Sequence, residues 1–369
     1  MPSADPISQL PRLQTAIVAQ SPGQCSVSTA APIPVLTDEM ILVKTAAVAL
    51  NPVDIKSLDY SAADGAIMGF DFAGTVVAVG SDAAKSGRIT VGDRVAGVVY
   101  GMDPLQPNVG AFAEYIGALG DLVLKIPDDM HFEDAAALGL ATATATYGLF
   151  SEMDLPGSLE RLVGENDDET GDFVLVAGGS TATGTRAIQL LKTAGFRPVA
   201  TSSPSNFDLV KSFGAEQVFD YHDPNCASAI RTYTNNELEF ALDCVAEAGT
   251  TEVCFSAMGR AGGRYVAVEP FRDSVARGRA QTVTPSWFNV MTIWGRKVEL
   301  GGEYAREASP EDRAFGTQSF AACQKLLDRG QMQTHPVKVM TGGWKGVIEG
   351  LEKIRSQPPS GHKLVYRVD

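Results

Sequence analysis

Sulfur and imidazole are scarce in this chain. Five cysteines, Cys25, Cys226, Cys244, Cys254 and Cys323, are scattered through 369 residues, an odd number with no CxxC pair. That spacing offers no thiolate metal site and fits reduced thiols in a cytosolic protein. Four histidines are present, and two of them, His131 and His362, flank strand-like stretches and read as surface residues. Positive charge is short as well. Thirty Lys and Arg face 44 Asp and Glu, a formal net charge of −14, which argues against nucleic acid as a partner. No apolar run approaches the roughly 20 residues of a membrane span. The first twenty residues lack a basic start followed by an apolar core, so neither membrane nor export is expected.

What is there is a hydrophobic fraction of 44%, ample for two globular cores at this length. The chain is organised around Phe173 to Gly195, FVLVAGGSTATGTRAIQLLKTAG. Phe173 to Ala177 is an apolar run of the length of a strand buried on both faces. Gly178 to Gly184 contains only small residues, and Ala187, Ile188, Leu190, Leu191 and Ala194 then recur at helical spacing. Strand, small-residue turn and helix make the geometry that holds a pyrophosphate, with first-turn amides aimed at the anion. The turn departs from G-x-G-x-x-G by carrying hydroxyls. A carboxylate for the ribose 2′-hydroxyl is expected about 20 residues on; Thr201 to Asn206 reads TSSPSN, with no acid. Hydroxyls and an amide, with Lys211 nearby, favour NADP(H) over NAD(H). Ser205 as a plain helix cap is the alternative.

Around that stretch the period changes three times. Up to Pro127 short strand-like runs alternate with glycine turns, as in Met40 to Ala47 and Gly69 to Gly80, which suggests a partly closed β-barrel. The first 35 residues contribute one strand, Gln14 to Val18, and loop. Helical spacing begins near His131 and runs through Leu149, and the acidic Gly164 to Gly171 is expected as a surface loop. From Phe173 to about residue 300 strands and helices alternate, ending in a strand at Lys297 to Leu300, the pattern of a doubly wound parallel sheet. The tail returns to helices and strands, closing on Leu364 to Val368.

Asn51-Pro52-Val53-Asp54, the run Gly69-x-Asp71-x-Ala73-Gly74-x-Val76-x-x-Val79-Gly80, Gly92-Asp93-Arg94-Val95 and Gly110-Ala111-Phe112-Ala113-Glu114-Tyr115 resemble the medium-chain dehydrogenase/reductase superfamily. The resemblance implies an α/β fold with a GroES-like barrel catalytic domain, residues 1–140 with 305–369, and a Rossmann NADP-binding domain, 141–304. Zinc-dependent members carry cysteine where this chain has Asn51 and Gly-His-Glu where it has Gly69-Phe70-Asp71. With four clustered cysteines also missing from residues 95–125, no metal is expected. That leaves the zinc-free enoyl and quinone reductases.

Within the nucleotide domain, Gly179 to Thr183, Ser203 to Leu209, Val218 to Tyr221, Ile230 to Thr234, Ala241 to Cys244 and Gly259 to Gly263 look like fungal trans-acting enoyl reductases of the lovastatin type. This resemblance implies NADPH-dependent reduction of α,β-unsaturated thioesters. The expected partner is the acyl carrier domain of a highly reducing polyketide synthase, and a cytoplasmic monomer is expected. It places coenzyme contacts at Asn51, Pro52, Val53, Asp54, Ser180, Thr181, Ala182, Thr183, Ser203, Pro204, Ser205, Asn206, Tyr221, Val268, Glu269, Leu364 and Val365. The acyl pocket falls on Leu140, Ala141, Thr142, Ala143, Thr144, Ala145, Thr146 and Tyr147, and on Val290, Met291, Thr292, Ile293 and Trp294.

Lys56, just past the Asn51 to Asp54 turn, is the candidate for polarising the carbonyl or delivering the proton, against a surface lysine at a helix start. Tyr147 is the second candidate donor, or a pocket wall. Arg272, Arg277 and Arg279 are a candidate landing site for an acidic carrier, against a solvated loop. A quinone or alkenal reductase acting on free molecules is the alternative activity, and a coenzyme-binding scaffold without catalysis the alternative class.

Overall fold

In the computed structural model the described residues are 10–156, 159, 162, 164 and 171–368. They form two compact units. The first contains the chain through Leu140, then Met291–Gln324 and the chain from Thr334; the second contains Ala141–Val290 and Lys325–Gln333. The expected return to the first domain was at residue 305; the first compact unit resumes at Met291.

The first unit is a seven-stranded sheet centred on Met40–Ala49. That strand pairs antiparallel with Asp71–Val79, with Tyr115–Leu119 and, at its end, with Lys363–Arg367. Branching of one strand to three neighbours curls the sheet around a core that includes Ile41, Val43, Phe72, Phe112 and Ile116, all buried. Two antiparallel partners begin where the central strand stops: Ala49 is in register with Asp71 on one side and Val365 on the other. Three strand ends therefore meet just before Asn51, where the helix Pro52–Tyr60 starts.

The second unit is a six-stranded parallel sheet in the order Gln217–Asp220, Arg197–Ser202, Phe173–Ala177, Phe240–Asp243, Gly263–Ala267, Val283–Trp287. Phe173–Ala177 is buried throughout and central. The chain winds one way from it to Arg197–Ser202 and the other way to Phe240–Asp243. The order reverses there, so a ligand crevice is expected beyond the carboxyl end of Phe173–Ala177.

Two expectations are corrected. The last strand of this sheet is Val283–Trp287 and not Lys297 to Leu300, whose one pairing is an isolated bridge from Val298 to Arg306. Pro285 sits inside Val283–Trp287, and proline is tolerated there because the strand lies at the sheet edge. Near the start, Gln24–Pro32 is a second strand, paired antiparallel with Leu13–Ser21; it is polar and half exposed, without the alternation that marks a strand. Most of the acidic segment expected as a surface loop lies outside the described residues.

Candidate functional site

The turn after Phe173–Ala177 is built from hydrogen bonds that small residues permit. Gly178 takes φ of +77°, a conformation glycine adopts without strain. A Cβ on Gly184 would lie 2.3 Å from the carbonyl oxygen of Gly178, so only glycine lets the helix Ala182–Thr193 start this close to the strand. Thr181 caps that helix. Its hydroxyl accepts from the Gly184 amide at 2.9 Å and donates to the Gly178 carbonyl at 2.8 Å. The amides of Ala182 and Thr183, at the first two helical positions, have no carbonyl one turn earlier to meet. They are left for an anion.

The neighbouring strand holds the turn from the side. The Gly179 amide donates to the Thr201 carbonyl at 2.8 Å, and the Gly178 amide reaches the Thr201 hydroxyl at 3.3 Å. At that strand's carboxyl end the buried hydroxyl of Ser202 has no partner among the described residues. Ser203 to Asn206 follow as a short turn in which the Asn206 amide nitrogen donates to the Ser203 hydroxyl at 3.2 Å. An orphaned buried hydroxyl, two unspent helix amides and a turn with no room for side chains fit a dinucleotide.

In the first unit, sequence and strand register place a buried polar cluster at Asn51. The Lys363 ammonium donates to Asn51 Oδ1 at 2.8 Å and pairs with Asp71 Oδ2. Asn51 Nδ2 donates to the same Asp71 oxygen at 3.0 Å. Asp71 Oδ1 accepts the Leu140 amide at 2.6 Å, and Asp54 Oδ2 accepts the Asn51 amide at 2.6 Å. Asn51, Asp54, Asp71 and Lys363 are all buried. The ammonium contacts Asn51 and Asp71, and no ion pair reaches Asp54 among the described residues. Burial raises Asp54 to about 8, the Asp71 charge adds to the rise, and the Asn51 amide and Lys363 oppose it.

Two family models match the chain: Alcohol dehydrogenase GroES-like domain over residues 37–128, and Zinc-binding dehydrogenase over residues 182–304. The trans-enoyl reductase thnE of Trichoderma harzianum is 73% identical over 368 residues, covering 100% of both chains. The trans-enoyl reductase caaB of Aspergillus niger is 60% identical, again over 100% of both.

The chain belongs to the trans-enoyl reductase family.

Solved structures share its fold. An alcohol dehydrogenase superfamily protein from Novosphingobium aromaticivorans has a TM-score of 0.75 at 21% identity, over 97% of this chain and 100% of the other. The CurK enoyl reductase has a TM-score of 0.70 at 19% identity, over 96% and 99%. Membership makes this chain an oxidoreductase of the medium-chain dehydrogenase/reductase superfamily that binds a nicotinamide coenzyme. The zinc named in the second family description finds no fitting donors. No three His, Cys, Asp or Glu side chains converge among the described residues. Asn51 and Asp71 close around the Lys363 ammonium, and Phe70, the residue before Asp71, offers no ligand atom.

The other expected trans-enoyl reductase residues fall as follows. Lys56 is exposed on the helix Pro52–Tyr60. Pro52 and Val53 occupy its first turn, while Leu364 and Val365 lie in the core strand Lys363–Arg367. Tyr221 is 44% exposed, and its ring lies tilted 32° against that of His222 with centroids 4.1 Å apart. Val268 and Glu269 are half-buried after Gly263–Ala267. Leu140 and Met291 to Trp294 belong to the first unit, and Ala141 to Tyr147 and Val290 to the second. Thr142 keeps a buried hydroxyl without a partner among the described residues, whereas the Thr146 hydroxyl is spent on the Thr142 carbonyl at 2.8 Å. Thr144 is half-buried between Ala143 and Ala145. Tyr147 is buried against Phe288, 5.3 Å between centroids. Burial pushes the thiol of Cys226 up to about 11 and those of Cys244 and Cys254 higher, so none of these three is poised as a nucleophile.

Sequence reasoning gave no charge-pairing role to Asp71 or Lys363, and used Thr201 and Ser202 only as part of the hydroxyl-rich stretch that favours NADP(H). The signal for the first two was legible: an aspartate inside the apolar run Phe70 to Val79 and a lysine opening the apolar run Leu364 to Tyr366 are charges placed where water is absent.

Proposed function

We propose that the chain is an NADPH-dependent, zinc-independent enoyl reductase. It acts in trans, in the cytoplasm and as a monomer, on α,β-unsaturated thioesters held by the carrier domain of a highly reducing polyketide synthase. The observation that carries the coenzyme choice is the loop after the Arg197–Ser202 strand. Ser202, Ser203, Ser205 and Asn206 present hydroxyls and an amide where an NAD-selective site places a carboxylate. The turn Gly178 to Gly184 holds the pyrophosphate through the amides of Ala182 and Thr183, with Thr181 fixing the helix start. Pro52 and Val53, at the start of the helix that carries Lys56, serve the nicotinamide end.

Bound there, the reduced nicotinamide supplies hydride to the β-carbon of the enoyl thioester. The chain's own work is to orient, to exclude water and to manage one proton. The buried Thr142 hydroxyl is available to donate to the thioester oxygen as negative charge develops on it. Lys56 is the candidate acid for the α-carbon, and the Tyr147 hydroxyl the second. Residues 140 to 147 and 290 to 294 are small or apolar enough to receive an acyl chain.

The experiment is NADPH against NADH consumption with an enoyl thioester on a carrier domain, product read by mass spectrometry as a gain of two hydrogens. Ser203→Asp should reverse the preference, lowering NADPH use by about tenfold or more through carboxylate–phosphate repulsion. Equal use of both coenzymes by the unaltered protein, or an unchanged preference in the variant, sinks the assignment.

A further inference from the structure

Among the described residues of the first unit, one buried hydroxyl is left without a hydrogen bond, that of Tyr100. The strand Arg94–Val98 pairs antiparallel with Asp71–Val79 and stops where Val98 is in register with Asp71. It therefore ends on the side of the sheet where the other strand ends meet before Asn51, and Tyr100 follows directly after Val99. The segment is held tightly. The Val99 amide donates to the Phe70 carbonyl at 2.9 Å, and the Met102 amide to the Ile67 carbonyl at 2.8 Å. A Cβ on Gly101 would lie 2.1 Å from the Gly69 carbonyl oxygen. Met102 takes φ of +62°, a left-handed conformation that is costly for a residue with a side chain and persists where the surroundings over-determine it.

Tyr100 is 2% exposed. Its ring centroid lies 6.1 Å from that of Phe70 and 5.9 Å from that of Trp294. Phe70 precedes Asp71 of the Asn51 cluster, and Trp294 ends the stretch proposed to receive the acyl chain. The charges beside Tyr100 are spent on each other. Arg296, whose guanidinium lies 6.0 Å from the Tyr100 ring centroid, pairs with the buried Asp103 at 3.0 Å, and Asp103 Oδ1 accepts the Leu105 amide at 2.9 Å. Burial and then the Asp103 charge raise the phenol above its ordinary range, against Arg296. The hydroxyl thus keeps its proton and serves as a donor, not as an acid. A buried hydroxyl left unmet costs stability that phenylalanine, with the same ring, would not incur. Packing accounts for the ring and leaves the hydroxyl to a bound acceptor.

We propose that the Tyr100 hydroxyl donates a hydrogen bond to the thioester oxygen of the bound enoyl substrate and stabilises the negative charge that hydride transfer places there. The inference deepens the proposed activity and rests on it. That oxygen is the one that every enoyl thioester presents, whatever its chain. Hydride adds to the β-carbon, the double-bond electrons move between the α-carbon and the carbonyl carbon, and the carbonyl electrons move to oxygen. A proton then adds at the α-carbon and the carbonyl re-forms, while Tyr100 retains its own proton. The thioester oxygen sits on the carbon next to the α-carbon, so its donor belongs close to the nicotinamide. Pro52 and Val53, proposed to serve that end, start from the same strand ends as Tyr100. A carbonyl oxygen has two lone pairs, so one donor does not displace another. In a dry site such a donor acts on the transition state, where the charge is, more than on bound substrate.

The test uses the full chain with NADPH and an enoyl thioester on a carrier domain. Tyr100→Phe should lower kcat by about a hundredfold and leave Kd for NADPH within about twofold. With NADPH deuterated at the transferred hydrogen, the isotope effect on kcat should rise, because hydride transfer becomes the slow step. Tm should hold or rise, since the variant loses only an unmet hydroxyl. An unchanged kcat overturns the proposal. So does a raised Kd for NADPH at unchanged kcat, which would give the hydroxyl to the coenzyme. A lowered Tm or a variant that fails to fold overturns it too, because the hydroxyl would then have a structural partner. An unaltered protein that consumes no NADPH with any enoyl thioester overturns the enoyl reductase reading itself, and this proposal with it; an active unaltered protein matched by Tyr100→Phe overturns this proposal alone.

Discussion

Lys363 Nζ lies 2.8 Å from Asn51 Oδ1 across 312 residues of sequence. The contact joins the last strand of the chain to the first turn of the helix that carries Lys56. The same ammonium pairs with Asp71, so a single cation ties three strand ends together where water does not reach. A buried ion pair is a weak source of net stability but a strong penalty when halved, because the surviving charge stays in a dry site. Lys363→Met should therefore destabilise the protein by about 3–5 kcal/mol. Lys363→Met combined with Asp71→Asn should recover a good part of that loss. Urea unfolding of the two variants measures it; a single variant no worse than the double contradicts the assignment.

Asp54 gives the same cluster a pH dependence of definite sign. Its folded value, about 8, lies above the roughly 3.9 of an exposed aspartate. Between those values the folded chain holds a proton that the unfolded chain has released. The contribution to stability is full below about pH 4 and is lost as pH rises toward 8. Asp54→Asn stays neutral at every pH and its amide oxygen can still accept from the Asn51 amide. The difference in unfolding free energy between the two proteins should change by up to about 1.4 kcal/mol per pH unit through this range. Parallel stability–pH curves would show that Asp54 is ionised in the fold.

The parts of this molecule that were legible in the sequence are those governed by local period. Phe173 to Ala177 is apolar at every position because both faces of the sheet are covered, and the small residues after it mark the turn. The polar strand Gln24–Pro32 and the proline-bearing strand Val283–Trp287 were not legible, since pairing and edge position alone make them strands. The Asn51 cluster has no local signal for its geometry. Asn51 reads as a helix cap next to a proline, and only strand register brings Asp71 and Lys363 to it. Arg279 is similar: spacing in sequence grouped it with Arg272 and Arg277, whereas its guanidinium donates to the carbonyls of Phe255, Met258 and Gly259 at the end of the helix Ala248–Ala257.

Lys56 and Tyr147 can be told apart as proton donors by kinetics. Lys56→Met removes an ammonium from an exposed helical position and should cost little stability. If it delivers the proton, kcat should fall by about a hundredfold or more while KM for NADPH hardly moves, and the product should lose its fixed configuration at the α-carbon. Tyr147→Phe keeps the ring packed on Phe288 and should lower kcat by less than about tenfold. The reverse ranking would move the role of acid to Tyr147.

Two glycines separate the turn's steric demand from a general intolerance of side chains. A methyl on Gly184 would sit 2.3 Å from the Gly178 carbonyl oxygen and 2.9 Å from Gly179 Cα, whereas nothing lies within 4 Å of one on Gly249, in the helix Ala248–Ala257. Gly184→Ala must push the helix start away from the strand. That breaks the bond from the Gly184 amide to Thr181, with a cost of about 1–3 kcal/mol from overpacking and about 1 kcal/mol more from the lost cap. It should also raise the Kd for NADPH, since Ala182 and Thr183 move with the helix. Gly249→Ala should gain up to about 1 kcal/mol, because alanine gives up less backbone freedom in a helix than glycine. Thermal unfolding and titration calorimetry on both variants decide the matter. A Gly184→Ala protein that binds NADPH as tightly as the unaltered chain would place the pyrophosphate somewhere other than this turn.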